Sequence, residues 1–296
     1  MKKSLCAALI LSMTLALAGC AGGQADTTTE AETTEEAAAG TETTEDAAEE
    51  TADAAEETAE EAEETAEEAA PAEVMTHEEY MAAEIDSQVT VESYVQATQS
   101  WWEDEGQGKI TVYAQSEDGA YFFYDLACTE EDAAKLVPGT KIRVTGYKAE
   151  WSGEVEVMDG TFEFVEDGEE FIADPLDVTE MLGTDELINH QNEFVSFTGM
   201  TVEPAQEGSD AAFLYSYDGS GSDGDDLYFN ASYNGQTYTF TIESYLCDNT
   251  TDVYNAVEEL QVGDVIDMQG YLYWYEGVNP HITYVGPAAS AETAAE

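Results

Sequence analysis

The sequence predicts a mainly β protein, two tandem five-stranded barrels that follow a disordered acidic tail, each with a short helix between its third and fourth strands. Three observations predict this. All 31 Phe, Trp and Tyr residues lie between Tyr80 and Tyr284, so the capacity to build a core is confined to that span. The fifteen residues from Gly139 to Gly153 recur without a gap from Gly263 to Gly277. A hairpin-turn dipeptide precedes each copy, Asp118-Gly119 and Asn234-Gly235.

At the N-terminus, Lys2 and Lys3 precede an apolar run, Leu5 to Ala18, that is too short to span a bilayer alone. The run ends in Leu17-Ala18-Gly19-Cys20, which resembles the bacterial lipobox, where small residues admit the lipoprotein peptidase and the following cysteine is diacylated. The resemblance covers only the first twenty residues. It implies a signal peptide over 1–19, lipidation of Cys20, and attachment by that lipid to the extracytoplasmic face of the cell membrane, or of an outer membrane where the cell has one.

Residues 20–75 read as a tether. Between 21 and 70 there are 19 acidic groups and no basic one, set among Ala, Thr and Gly. Glu-Glu-Thr-Ala recurs at Glu49, Glu56 and Glu63, a seven-residue period whose apolar position is only Ala. Without Lys or Arg there is no i,i+4 pairing to offset like-charge repulsion, so a solvated, extended segment is expected in preference to a coiled coil.

The folded units follow, at 84–166 and 190–286, with a linker over 167–189 and a short disordered C-terminus over 287–296. In the first unit a strand near Val89 to Ala97 precedes the hairpin Ile110 to Gln115 with Ala120 to Leu126; in the second, Phe194 to Val202 precedes Leu227 to Tyr233 with Gln236 to Leu246. A cysteine comes next, Cys128 or Cys247, expected as a buried free thiol, and then a short helical pattern, Glu130 to Leu136 or Asp252 to Leu260. The repeated fifteen residues supply the fourth strand and its turn. Both copies read Gly, six residues, Gly-Tyr, three residues, an aromatic, one residue, Gly. Strand, hairpin, helix, hairpin resembles the OB-fold in its extracytoplasmic bacterial versions, and that resemblance implies the barrel closure and the helix at its base. At roughly 80 to 100 residues each unit can bury a core of its own.

Catalytic chemistry finds no residues to carry it, so the chain is read as a non-enzyme without cofactors. His77, His190 and His281 have no zinc-ligand spacing, and no nucleophile elbow or Gly-rich phosphate loop is present. The loop from Asp218 to Asp226 crowds oxygen donors but fails the EF-hand register, and no metal is assigned; were calcium held weakly there, Asp218, Asp223, Asp225 and Asp226 would hold it. Residues 71–296 carry 47 acidic and 5 basic groups within a chain of formal net charge -59, a field read as repelling phosphate and excluding nucleic acid as a partner.

The aromatics suggest a binding role. Trp101 and Trp102 fall between strands one and two, and Trp151 and Trp274 fall at the turn between strands four and five of each unit, loops that rim the OB ligand face. Alternation through Gly270-Tyr-Leu-Tyr-Trp-Tyr275 turns Leu272 and Trp274 inward and Tyr271, Tyr273 and Tyr275 outward, unless a bulge at Gly270 reverses the parity. Trp101, Trp102, Trp151, Tyr273 and Tyr275 are the candidate ligand-binding residues; closure of the barrel ends is the competing role for the same rings. The function expected is a surface lipoprotein that binds an uncharged or cationic ligand, an extracellular glycan, peptide or protein. The alternative is a structural or docking component of a cell-envelope complex.

Overall fold

A computed structural model describes residues 73–289; Cys20, the signal segment, the acidic tether up to residue 72 and the last seven residues lie outside them. The protein is mainly β. Its second sheet comprises β7 (Leu176–Asp177), β8 (Phe194–Glu203), β9 (Phe213–Tyr215), β10 (Leu227–Tyr233), β11 (Gln236–Ile242), β12 (Val265–Tyr271) and β13 (His281–Pro287), numbered after six strands of the first sheet. Strand β8 pairs with both β12 and β10, which closes β8-β12-β13-β11-β10 into a five-stranded barrel, with β11 and β13 parallel. Helix α3 (Asp252–Glu258) lies between the third and fourth barrel strands, the OB arrangement.

The first sheet makes the corresponding pairings. Its strands are β1 (Gln88–Thr98), β2 (Trp102–Asp104), β3 (Gln107–Ser116), β4 (Gly119–Ala127), β5 (Lys141–Trp151) and β6 (Glu154–Phe164), in the order β1-β5-β6-β4-β3-β2, with β1 also paired to β3 and β4 parallel to β6. Two helices accompany it, α1 (His77–Ala82) and α2 (Glu130–Ala133). Among the described residues no helix is long and apolar enough to cross a membrane.

Alternation along the repeated strand sets both cores. Ile142 and Val144 on β5, and Ile266 and Met268 on β12, point inward and are at most 3% exposed. They meet Val91, Val112 and Phe123 in the first unit, and Phe197, Phe229 and Phe240 in the second. The middle glycine of the repeat allows close approach of the neighbouring strand: a Cβ at Gly146 would lie 2.8 Å from Met158 O, and one at Gly270 would lie 2.7 Å from Ile282 Cα. Strand pairing shifts register beside each, between Thr145 and Tyr147 and between Gln269 and Gly270, so the repeat encodes a bulge as well as a strand.

The helices begin on threonine caps. Thr129 accepts from Asp132 N, and Thr251 accepts from Tyr254 N. The first helical pattern forms one α-turn and tightens into i→i−3 bonds, Lys135 N to Asp132 O and Leu136 N to Ala133 O, before Pro138 and Gly139 at φ +90° turn the chain away. In α3, Val253, Tyr254 and Val257 share the buried face.

The folded units are longer than their sequence boundaries. Before residue 84, α1 is held by a capping box between Thr76 and Glu79, buries Tyr80, and receives Lys148 Nζ at Met81 O (2.7 Å) and Ala83 O (2.9 Å). The 167–189 linker is packed: Ala173 N donates to Gln96 Oε1, and Val178, Leu182 and Leu187 enter the second core. These apolar groups sit in short turns, with 3-10 helices at Thr179–Met181 and Leu187–His190, where no helix or strand period marks them. At the other end Ala288 is buried and its N–H bonds Val265 O, so order runs past 286.

Candidate functional site

The rings of the second copy of the repeat build the junction between the two units. The bulge at Gly270 does not reverse the parity: Leu272 is buried in the second core with Trp274 packed against it, whereas Tyr271 and Tyr273 leave the barrel. Tyr271 stacks on Tyr113 of β3 with centroids 4.6 Å apart, and Phe122 of β4 meets Tyr113 at 5.1 Å and Tyr273 at 5.2 Å. Burying each such ring is worth roughly 2 to 3 kcal/mol.

Hydrogen bonds cross the same junction. Ser100 N donates to Tyr245 O and Glu276 N to Ser152 O, both at 2.8 Å. Gln99 Nε2 donates to the Tyr113 hydroxyl (3.4 Å), leaving the phenol hydrogen for His281 Nδ1 at 2.6 Å. His281 also stacks on Tyr273 at 4.2 Å. Burial pushes its pKa down to about 3, so the ring is neutral.

Glu154, the first residue of β6, is fully buried here. Its Oε2 accepts from Trp274 N (2.9 Å) and Gln191 Nε2 (3.1 Å), while Oε1 and the nearby Asn192 Oδ1 have no partner. Burial pushes this carboxyl up to about 8 against the pull of those donors. With its pKa pushed up to about 8 the carboxyl is neutral near about pH 7, so the unpartnered Oε1 does not carry a buried charge there.

Beside the junction opens a cavity of about 810 Å³. Strands β2, β4 and β6 and the end of β5 supply one wall, with Trp102, Phe122, Tyr124 and Trp151; β10, the segment after β11 and the β12–β13 connection supply the other, with Tyr228, Tyr245, Tyr273 and Tyr275. Three carboxyl groups reach it, Asp125, Glu156 and Glu243, and no Lys or Arg lines it. Burial pushes both Glu156 and Glu243 up to about 7, reinforced by the neighbouring charges of Asp125 and Asp226 respectively. The size and lining, apolar rings with a few converging polar groups, are those of a small-ligand site.

Four of the five sequence-selected residues, Trp102, Trp151, Tyr273 and Tyr275, line this one cavity. Trp101 does not. Its indole N–H donates to Cys128 O (2.9 Å) and the ring packs against the first core, over Gly108, where a Cβ would meet it at 2.8 Å. An indole N–H withdrawn from water needs an acceptor, and the free carbonyl of Cys128 turns Trp101 inward while Trp102 faces out. Sequence reasoning passed over Glu156, Glu243, Tyr228 and Tyr245.

Cys128 and Cys247 are buried free thiols, each pushed up to about 11 by burial. The acidic loop satisfies itself: Asp218 accepts from Ser220 N, Asp225 from Ser222 N, Asp226 from Ser244, and Asp223 from Asn249 Nδ2. Among the described residues no group of three or more potential ligands is placed to hold a metal ion.

Fold and cavity together define a mainly β protein with an OB-type barrel and an aromatic cavity. A scan against family models finds no match, and a comparison with curated proteins finds none. Among solved structures, the chain is similar to a murine DNA-binding protein bound to double-stranded DNA, with 14% identity over 68% of this chain and 96% of that one and a TM-score of 0.33. It is similar to the p204 HINb domain at 12% identity over 66% and 95%, TM-score 0.31. It is also similar to the Ifi202 HINa domain in complex with 20-base-pair double-stranded DNA, at 10% identity over 69% and 97%, TM-score 0.31. None of these likenesses assigns a ligand to this chain. They do correct one expectation: charge was read as excluding nucleic acid, and matched structures bound to double-stranded DNA overturn that exclusion.

Proposed function

We propose that the protein is a lipid-anchored, extracytoplasmic, non-catalytic binding protein in which tandem OB-like barrels hold a ligand cavity between them. The ligand is uncharged or cationic, a glycan, peptide or protein group small enough to enter. One observation carries this reading: the cavity of about 810 Å³, with eight aromatic side chains drawn from both units. A docking component would need only an outward patch, whereas these rings converge on one open cavity. The anchor rests on the charged, apolar, lipobox-like order of the first twenty residues.

The test is a glycan and peptide array probed with the full chain and with Trp151→Ala and Tyr275→Ala variants, whose rings are 60% and 48% exposed. Binding lost in both variants supports the reading; binding indifferent to both places the ligand elsewhere, and no binding to any probe favours the docking role. For the anchor, intact mass of membrane-extracted protein should show a diacylglyceryl adduct on Cys20. A Cys20→Ala variant retained on membranes as firmly as the parent argues against lipidation.

A further inference from the structure

The distribution of charge inside the cavity carries the ligand class further, on the reading that this cavity is the binding site. Its three acidic groups are not equivalent. Asp125 has Lys109 Nζ at 3.4 Å, and Glu243 accepts from Leu246 N at 2.9 Å. Glu156 lines the cavity, is only 4% exposed, and has no hydrogen-bond or ion-pair partner among the described residues. Its oxygens are not among the buried atoms left without a partner, so they open onto the cavity, where a cation from outside would supply the counter-charge that no side chain does.

The protein displays the missing arrangement once already. Lys109 Nζ lies 4.9 Å over the Trp102 ring and 3.4 Å from Asp125, an ammonium held between an aromatic face and a carboxylate on the cavity's own wall. Around Glu156 the rings are present and the ammonium is not: Tyr124 and Tyr273 both feel its charge, and Trp151 and Tyr275 line the same space. We propose that the cavity binds an organic cation, an alkylated ammonium head on an uncharged body, with Glu156 as counter-charge and Tyr124, Tyr273, Trp151 and Tyr275 as the aromatic walls. An uncharged polyol can stack on the same rings but leaves Glu156 uncompensated. The volume leaves room for a body beyond the head.

Binding of this kind is coupled to protons. Glu156 titrates at about 7 in the empty cavity, facing Asp125 and Tyr124 from β4, Glu154 on its own strand and Tyr273 from the other wall; Lys109, the nearby cation, is engaged by Asp125. A cation favours the carboxylate, so its affinity rises with pH through about 7 and levels off above. From about pH 8 to about pH 6 a single group at about 7 weakens binding roughly tenfold.

The experiment is calorimetric titration of the full chain with choline and with its uncharged isostere 3,3-dimethylbutan-1-ol. We expect choline to bind roughly tenfold or more tighter at about pH 8, with the tenfold loss on acidification. Glu156→Gln should abolish both the preference and the pH dependence. Glu207→Gln, which removes one exposed charge outside the lining, should leave both. Equal binding of the two probes, a choline preference that survives Glu156→Gln, or no binding of choline overturns the cation assignment. Glycan or peptide binding that still depends on Trp151 would then keep the cavity as a site, whereas absence of any Trp151-dependent ligand removes both.

Discussion

Replacing Glu154 by glutamine should stabilise the protein in alkali, because it removes a charge that the junction cannot solvate. The carboxyl is fully buried and titrates at about 8 when folded, against an ordinary value of 4.5. The folded state therefore binds the proton more tightly than the unfolded chain. Its contribution is fully present below about pH 4.5 and is lost as pH rises to about 8, at about 1.4 kcal/mol per pH unit, or at most about 5 kcal/mol in all. Glutamine keeps an oxygen for Trp274 N and Gln191 Nε2 and removes the ionisation. The assay is urea unfolding of parent and variant, followed by tryptophan fluorescence between about pH 5 and pH 9. Comparing the two cancels the titration of carboxyls that do not couple to this site; Glu156, whose charge raises Glu154, does couple, so both chains carry Glu156→Gln. The stabilities should agree within about 1 kcal/mol near pH 5 and diverge in favour of glutamine by up to about 5 kcal/mol near pH 9. Parallel curves would refute the neutral buried acid.

Other consequences can be checked in the same way. Tyr271→Ala should cost about 3 to 5 kcal/mol in unfolding free energy, while Tyr147→Ala, at the equivalent repeat position but 46% exposed, should cost under about 0.5 kcal/mol. Gly146→Ala and Gly270→Ala should each lose about 1 to 3 kcal/mol, since a Cβ meets the neighbouring strand. Cys128 and Cys247, pushed up to about 11, should resist thiol reagents in the native protein and react fully in denaturant; rapid native labelling would contradict their burial. Acrylamide should quench Trp151 and Trp102 but leave Trp101 shielded, read from single Trp→Phe variants.

The strands and the cavity's tryptophans were legible because they depend on local pattern. A glycine-led strand with Ile142 and Val144 alternating, ending in an aromatic before Gly153, fixes which side chains point out at the turn, and so found Trp151 and Tyr275. Parity likewise separated Leu272 from Tyr271 and Tyr273. What outward positions meet is decided by docking of the two units, which no local period records. Glu154 and Glu156 alternate with Val155 and Val157 as on any half-solvated strand, yet both are buried at the junction or cavity. Among 66 acidic residues nothing in sequence marks them. Trp101 and Trp102 show the complementary limit: adjacency in a loop cannot say which indole finds a carbonyl.

The two units meet through different faces, and this has a consequence for assembly. Tyr271 of the second unit docks on Tyr113 and Phe122 of the first, while Tyr147, the first unit's equivalent of Tyr271, stands open to solvent. Such a head-to-tail contact between repeated units has no built-in stop, and an open end invites a further copy. Counting from the hairpin turns, the second unit carries Asn230 and Thr239 where the first has Tyr113 and Phe122. Those two bond to each other at 2.9 Å, and Asn230 Nδ2 also donates to Pro204 O. At these two positions the receiving face has thus become polar and internally satisfied, so the stack that Tyr271 makes on Tyr113 has no counterpart for a neighbouring molecule's Tyr147.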